Sequence, residues 1–324
     1  MFFTIIVPTR NRPTSLNRAL ESIAAQSFTD FKVVVVDDAS NTEQLSAVQE
    51  IVSQKGDNFT LVTRSILERS HGPNAARNTG AEVSNGQYFA FLDDDDYWCD
   101  PDYLYAAHQA ITQKKNVDFF IADQQAIRGE VVVVDEWLPH LNRLAKSDNR
   151  GLSFSDVRAR DILQAEGVGF PHVNSSIVKK ELFDEIEGFW EGSPYEGDLN
   201  FFLRLLSRSK SAVYWPRVAS INVLREDALH GGVNSISAES KMLYRILVCE
   251  HARLNSTGWP RKYARILQAG VLKTLAKNRY SISRDWESAG DLALQATSLD
   301  ISIRWMLISI YFKIRTYVHQ LLSK

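Results

Sequence analysis

The sequence predicts an α/β fold, a mainly parallel sheet flanked by helices, followed by an α-helical C-terminal extension. Three observations carry this. Over the first 120 residues, short β-branched runs alternate with helical patterns, the order of βα units feeding a parallel sheet. The runs are apolar almost without interruption, as strands covered on both faces must be. From Ser237 onward the strand pattern stops and the chain reads as helices, broken at Gly258-Trp259-Pro260 and around Ser281-Ile282-Ser283. The division expected is a domain over 1–235 and an extension over 236–324.

Strands are expected at 3–7, 32–36, 59–63, 88–92 and 117–121. Helices fill the gaps at 14–26, where Leu16, Ala19, Leu20 and Ile23 share one face, and at 42–54, 74–84 and 101–113. A less regular middle follows: a strand at 131–135, a loop over 136–155, a strand at 174–178, a turn over 183–189 and a short helix at 198–206. In the last helix Ile303, Leu307, Ile310, Ile314, Tyr317 and Leu321 recur every three or four residues as one apolar stripe. Such a stripe packs on the rest of the chain or on a second copy, giving a homodimer. Its alternative is an interfacial helix in peripheral contact with anionic lipid.

Composition is that of an ordinary globular protein, 44% hydrophobic and 23% charged over 324 residues. Two distant cysteines, Cys99 and Cys249, suggest neither a disulfide framework nor a zinc site, and fit a reducing compartment. The amino terminus runs straight into a strand pattern rather than a signal peptide, so the expected location is cytoplasmic, on the inner face of the membrane if the last helix touches lipid. No window approaches the eighteen apolar residues of a spanning helix. The net charge of −2 conceals an asymmetry: residues 236–324 hold 14 Lys and Arg against 6 Asp and Glu, leaving about −10 for the rest. The basic residues are not interleaved with stacking aromatics, so no nucleic-acid partner is expected.

Ligands of parallel α/β sheets bind at the carboxyl ends of the strands. Here the first strand exits into Pro8-Thr9-Arg10-Asn11-Arg12-Pro13, the second into Asp37-Asp38-Ala39-Ser40 and the fourth into Asp93-Asp94-Asp95-Asp96, so three polar clusters fall on one rim. Four adjacent carboxylates raise one another's pKa. They persist beside an apolar strand if a cation, or donors gathered for another reason, offsets them; a solvated acidic turn is the plain alternative. Mg²⁺ and Mn²⁺ suit oxygen ligands of this kind. Neither Gly-x-Gly-x-x-Gly after the first strand nor Gly-x4-Gly-Lys-Ser/Thr occurs, so any phosphates the chain holds are expected to be held through a metal.

Taken in order, these segments resemble the family 2 glycosyltransferases and their nucleotide-sugar-binding GT-A fold, over residues 3 to about 237. Ile5-Ile6-Val7-Pro8-Thr9-Arg10-Asn11-Arg12 is similar to the opening strand and nucleotide loop. Val36-Asp37-Asp38-Ala39-Ser40 is similar to the second motif, whose second aspartate accepts a hydrogen bond from the base. Ala76-Arg77-Asn78-Thr79-Gly80, Gly86-Gln87-Tyr88 and Phe91-Leu92-Asp93-Asp94-Asp95-Asp96 form the strongest segment, with Asp93-x-Asp95 in the place of the metal-binding pair. The resemblance implies that Pro8, Thr9, Asn11, Arg12, Asp38, Arg77, Asp93 and His230 face the nucleotide sugar, and that Asp93, Asp95 and His230 hold Mn²⁺ or Mg²⁺. It also implies a catalytic base at Asp198 in Tyr195-Glu196-Gly197-Asp198-Leu199-Asn200-Phe201-Phe202-Leu203-Arg204. Gly197 stands where that motif usually has an acid, which leaves open whether Glu196 substitutes.

Each residue has a plainer reading. Asp198 can cap a helix beginning at Leu199. Arg77 can pair with Asp37 instead of reaching the nucleotide, and His230 can be an exposed loop residue. Phe170-Pro171-His172-Val173-Asn174 faces the acceptor or packs as a loop, and Trp98 anchors the loop after the acids. The activity implied is inverting transfer of a sugar from a nucleoside-diphosphate donor, UDP or dTDP favoured because Asp38 can accept the N3 proton of uracil or thymine. The acceptor would be a hydroxyl of a glycan or a lipid-linked molecule, in cell-surface polysaccharide, lipopolysaccharide or glycolipid synthesis. A metal-dependent nucleotidyltransferase or phosphohydrolase would share Asp93 and Asp95 without needing Asp198. A non-enzymatic cation-dependent nucleotide- or sugar-binding module is the remaining rival; the receiver version of it needs acids after the first strand, where this chain has Pro8-Thr9-Arg10.

Overall fold

The computed structural model describes residues 1–64, 71–146, 154–163, 170–224 and 236–322. In chain order the elements are β1 (Phe3–Thr9), α1 (Pro13–Ala24), β2 (Phe31–Asp37), α2 (Thr42–Ser53), β3 (Phe59–Thr63), α3 (Pro73–Glu82), β4 (Tyr88–Phe91), β5 (Tyr97–Trp98) and α4 (Tyr103–Lys114). They continue with β6 (Phe119–Arg128), β7 (Val131–Val134), α5 (Pro139–Lys146), β8 (Ser155–Val157), α6 (Ala159–Ile162), β9 (Ser176–Lys179), α7 (Lys180–Glu185), α8 (Gly197–Arg208) and β10 (Ala212–Val223). Four helices close the chain: α9 (Ala238–Leu254), α10 (Gly258–Ser281), α11 (Trp286–Leu299) and α12 (Ile303–Leu322). The chain divides into two compact units, one of Met1–Gly192 with Gly197–Leu229, the other of Ser193–Glu196 with His230–Lys324.

The sheet of the first unit runs β3-β2-β1-β4-β9-β6-β10-β5, with β7 beside β6 and β8 beside β10. β1 to β4 are mutually parallel, and β6 and β10 are parallel to each other. β9 is antiparallel to both neighbours, β4 and β6, so the sheet is mixed but mostly parallel. Residues Phe3 to Val7 and Val33 to Val36 are buried on both faces, which is why these strands lack polar alternation. Leu16, Ala19, Leu20 and Ile23 of α1 are fully buried, each of the larger ones contributing about 1.5–3 kcal/mol.

Two helices that frame the rim begin on proline, α1 at Pro13 and α3 at Pro73, where the missing N–H has no intrahelical partner to lose. α3 approaches the sheet closely because Gly80 has no side chain: a Cβ there would lie 2.5 Å from Ile6 Cγ2. Pro8 lies inside β1, paired with Val36, rather than in the loop beyond it. Proline is tolerated there because β4 ends opposite Ile6, leaving Pro8 with a strand on one side only.

Several elements differ from the sequence expectation. The stretch read as loop over 136–155 contains α5, and residues 183–189, read as a turn, begin within α7. β10, twelve residues long, was not expected, nor was the two-residue β5 that pairs with it. β10 contains Pro216 and carries register irregularities between Trp215 and Ser220, which interrupt its apolar pattern.

In the helical unit α12 packs through Trp305, Ile308 and Phe312 against Ala276, Tyr280, Ala289 and Ala293. That is a different face from the expected stripe. Ile303, Leu307 and Tyr317 are 72%, 59% and 63% exposed, and Ile310, Ile314 and Leu321 are exposed as well. Among the described residues no helix is long and apolar enough to cross a membrane.

Candidate active site

The loop after β1 and the loop after β2 are bonded into one wall. Asp38 N donates to Thr9 O at 2.9 Å, Asn11 N to Ser40 Oγ at 2.8 Å, and Asn41 N to Asn11 Oδ1 at 2.8 Å. Asn11 and Ala39 sit at φ 55° and 63°, a left-handed conformation uncommon outside glycine that the cross-bonding holds in place. Asp37 is fully buried and accepts from Ser40 N and Ser40 Oγ, so it does not pair with Arg77. Asp38 accepts from Gly72 N at 2.9 Å and His71 N at 3.3 Å, with Arg64 Nη1 at 3.5 Å.

The four acids after β4 have four different surroundings. Asp93 pairs with Arg77, and its N–H donates to Asn174 Oδ1 at 2.9 Å. Burial works to raise its carboxyl, but Arg77, then His172 and Arg12, outweigh it and hold it below the usual carboxylate range. Asp94 is buried, accepts from Thr9 Oγ1 at 2.7 Å and Arg12 Nη1 at 2.9 Å, and is pushed up to about 6 by burial. Asp95 is the most open to solvent, its carboxylate 2.8 Å from Arg12 Nη1. Asp96 accepts from Asn174 Nδ2 at 2.6 Å, Asn222 Nδ2 at 2.9 Å and Val223 N at 2.7 Å. Burial and the charges of Asp95 and Asp93 raise its carboxyl well above the usual range. The expected donors are therefore present: Thr9 and Arg12, read as nucleotide contacts, also hold the acidic loop, and Asp96 fastens that loop to β10.

His172 joins this cluster. Antiparallel register sets Ala90 opposite Ile177, so the residues preceding β9 lie beside the end of β4 and reach the acids. Ligand atoms of Asp93, Asp96 and His172 lie within 4.8 Å of one another. The carboxylate oxygens suit Mn²⁺ or Mg²⁺, whereas the imidazole nitrogen is a ligand more usual for transition metals, which favours Mn²⁺ of the two. The His172 ring packs edge-on against Trp137 at 5.4 Å, and burial lowers its pKa against the opposing charges of Asp93 and Asp198. Sequence reading assigned the 170–174 segment to the acceptor or to packing. Its proximity to the acids depends on where β9 inserts in the sheet, which no local pattern reveals.

Asp198 lies inside the first turn of α8, which begins two residues earlier than a capping role would require, and its Oδ1 accepts the Leu199 N–H at 2.9 Å. Its charge acts on His172 together with those of Asp93 and Asp95, while the ligand atoms that lie together with the imidazole are those of Asp93 and Asp96 and include none of Asp95. Glu196, at φ 54°, is committed to Arg245, whose Nε lies 2.9 and 2.7 Å from its two carboxylate oxygens. Trp98 is buried and donates from Nε1 to Asn174 O at 2.8 Å, as an anchor does. His230 lies outside the described residues.

Residues 4–185 match the family described as Glycosyl transferase family 2, more than half of the chain. The chain belongs to this family. Among curated relatives of this glycosyltransferase, an uncharacterized glycosyltransferase of Haemophilus influenzae is 28% identical over 212 residues, 65% of this chain and 64% of the relative. The GalNAc(5)-diNAcBac-PP-undecaprenol beta-1,3-glucosyltransferase of Campylobacter jejuni is 29% identical over 187 residues, 56% of this chain and 54% of the relative. The match thus spans less than two thirds of these relatives. The crystal structure of Staphylococcus aureus TarS 1-349 in complex with UDP-GlcNAc superposes with a TM-score of 0.67 at 20% identity, covering 98% of this chain and 89% of that one. That likeness gives the glycosyltransferase the GT-A architecture.

Proposed function

We propose that this glycosyltransferase moves a sugar with inversion from a nucleoside-diphosphate donor, UDP or dTDP favoured, to a hydroxyl of a glycan or lipid-linked acceptor. The observation that carries the reading is the cluster of Asp93, Asp96 and His172, whose ligand atoms lie within 4.8 Å of one another, with the charges of Asp95 and Asp198 acting on the same imidazole. Asp198 takes the proton of the acceptor hydroxyl. The acceptor oxygen then bonds to the anomeric carbon from the face opposite the diphosphate, and the breaking carbon–oxygen bond leaves its electron pair on the diphosphate. Asp93 and His172, whose ligand atoms cluster with one of Asp96, would hold a divalent cation together with the Asp95 and His230 expected from sequence; when bound it neutralises charge on the leaving diphosphate. Arg12 and Arg77 flank the same carboxylates and add fixed positive charge beside it. Asp38 orients a pyrimidine through its N3 proton.

The UDP-GlcNAc bound by the TarS structure and the undecaprenol-linked acceptor in the Campylobacter enzyme's name support a UDP donor and a lipid-linked acceptor. A lipid-linked acceptor places the enzyme at the cytoplasmic face of a membrane, in polysaccharide or glycolipid synthesis. The exposed apolar side of α12 would rest there: the helix bears Arg304, Lys313 and Arg315, the last two also touching Asp291 and Trp286 of α11, and no Asp or Glu lies between Ile301 and Lys324. A panel of UDP, dTDP, GDP and CMP sugars, scored for nucleotide release with and without Mn²⁺, tests the function. Release of UDP or dTDP that depends on Mn²⁺ is the expected result; use of CMP sugars alone would overturn the nucleotide assignment.

A further inference from the structure

We infer that Asn74 is a positioning residue that fixes Asp198 relative to the acidic loop, and that Gly197 is glycine to admit it. The inference rests on Asp198 as the base. Asn74 lies in the first turn of α3 and is 7% exposed. Its Nδ2 donates to Trp190 O and its Oδ1 accepts from Arg77 Nη1, both at 3.2 Å. Arg77 pairs in turn with Asp93 and lies over the Phe189 ring, 5.2 Å from its centroid.

Gly197 opens α8 against this carboxamide. A Cβ there would fall 1.9 Å from Asn74 Nδ2, 2.7 Å from Cγ and 2.9 Å from Oδ1. Those are buried atoms held by two hydrogen bonds and cannot swing aside as the tip of an exposed side chain would. The requirement is one of space, because the φ of Gly197 is not in the left-handed region. Arg77 and Asn74, both buried, thus link Asp93 to Gly197, the residue before Asp198. Asn78 of the same helix grips the preceding segment, donating to Phe189 O at 2.8 Å and accepting from Phe189 N at 2.9 Å. α3 therefore holds the acidic loop and the base segment together, and a shift of about 1 Å between them is enough to cost about 10²-fold in rate.

The test is a cycle of Gly197→Ala, Asn74→Ala and the double variant, since Asn74→Ala removes all three atoms that the new Cβ would meet. Turnover is read as UDP release from UDP-glucose and UDP-N-acetylglucosamine, and binding as calorimetry with UDP and Mn²⁺. Gly197→Ala should lower kcat about 100-fold while the Kd for UDP stays within about twofold, a split that general loss of folded protein would not give. The double variant should turn over at least about tenfold faster than Gly197→Ala, because the obstruction is gone. Wild-type kcat in Gly197→Ala, or a double variant no faster than that single one, overturns the inference. If Gly197→Ala does not fold, the double variant must recover folding and the turnover of Asn74→Ala, which itself stays below wild type because the link to Arg77 is lost; failure of either counts against the inference equally. Asp198→Asn in the same assay separates the two claims: near-normal turnover ends the base reading, whereas loss of turnover together with an unrescued cycle ends only the role of Asn74.

Discussion

The α/β unit and the helical unit break the usual partition of residues in opposite directions. Around the rim of the first, carboxylates and guanidinium groups are withdrawn from water: Asp37, Asp38, Asp94, Asp96 and Arg77 are all buried. Along α12 of the second, leucine, isoleucine and tyrosine side chains are left in water. Exposed apolar residues scattered singly need no explanation, but a continuous face does, and so does a buried charge. The buried charges have their partners within the unit, so they are fixed before any ligand arrives. The apolar face is exposed among the described residues, and the partner proposed for it is a lipid surface. One unit holds preorganised chemistry and the other offers a surface.

The largest effect should come from removing the base. Asp198→Asn is expected to leave donor binding unchanged and to reduce transfer by about 10²–10⁴-fold, the scale of general-base removal. Paired kcat and Kd measurements check this, and near-normal transfer would remove Asp198 from the mechanism. Next in size is Asp95→Asn. Because this acid is the most open of the four, its substitution should spare the fold while Mn²⁺-dependent UDP binding weakens beyond the ~10–100-fold typical of losing an outer-sphere partner. Calorimetry with and without Mn²⁺ decides, and unchanged affinity would sink the proposed ligand role.

Much of the first unit was legible because its signals are local. β1 to β4 are apolar runs bounded by helices, and the loops that follow them in sequence are the loops that meet at the rim. What escaped depends on contacts distant in sequence. β10 is interrupted at Trp215-Pro216-Arg217, so its length becomes clear only when β6 is beside it. His172 reaches the acids only because β9 inserts antiparallel between β4 and β6. Of the four acids in a row the resemblance singled out Asp93 and Asp95 and gave Asp96 no role, yet Asn174, Asn222 and Val223, 78 to 127 residues away, make Asp96 a fastening. In α12 a regular stripe was visible, but helical periodicity cannot say which face is inward when Trp305, Ile308 and Phe312 offer a competing one.

The fastening role of Asp96 gives a stability prediction in which buried charge has a visible cost. Asp96→Ala leaves three donors without their acceptor, and at pH 7 about 3 kcal/mol should be lost by denaturant unfolding in chelator-containing buffer. The pH dependence has a definite sign. The folded carboxyl is raised above its unfolded value, so the native state binds this proton more tightly, and the charged form costs stability at higher pH. The advantage of wild type over Asp96→Ala should therefore grow as pH falls from 7 toward about 4, the ordinary range of an unfolded aspartate. An advantage that shrinks over that window would mean the carboxylate is stabilised in its charged form.

The smallest effect concerns the exposed face. Leu307→Glu with Ile314→Glu changes two of its residues and leaves Trp305, Ile308 and Phe312 packed in their own unit, so the fold and transfer to a soluble acceptor should be unaffected. If α12 rests on lipid, binding to vesicles of phosphatidylglycerol mixed with phosphatidylcholine should fall by about tenfold, since one fully buried leucine already contributes about 1.5–3 kcal/mol and interfacial burial is partial. Raising the salt should weaken wild-type binding too, because Arg304, Lys313 and Arg315 act over about 8–10 Å at physiological ionic strength. A second copy of the chain covering the same face predicts something different. In that case wild type is a dimer in sedimentation without vesicles, the double variant is a monomer, and vesicle binding is absent from both. Comparing the two proteins in the two experiments thus separates a surface meant for lipid from one meant for another subunit.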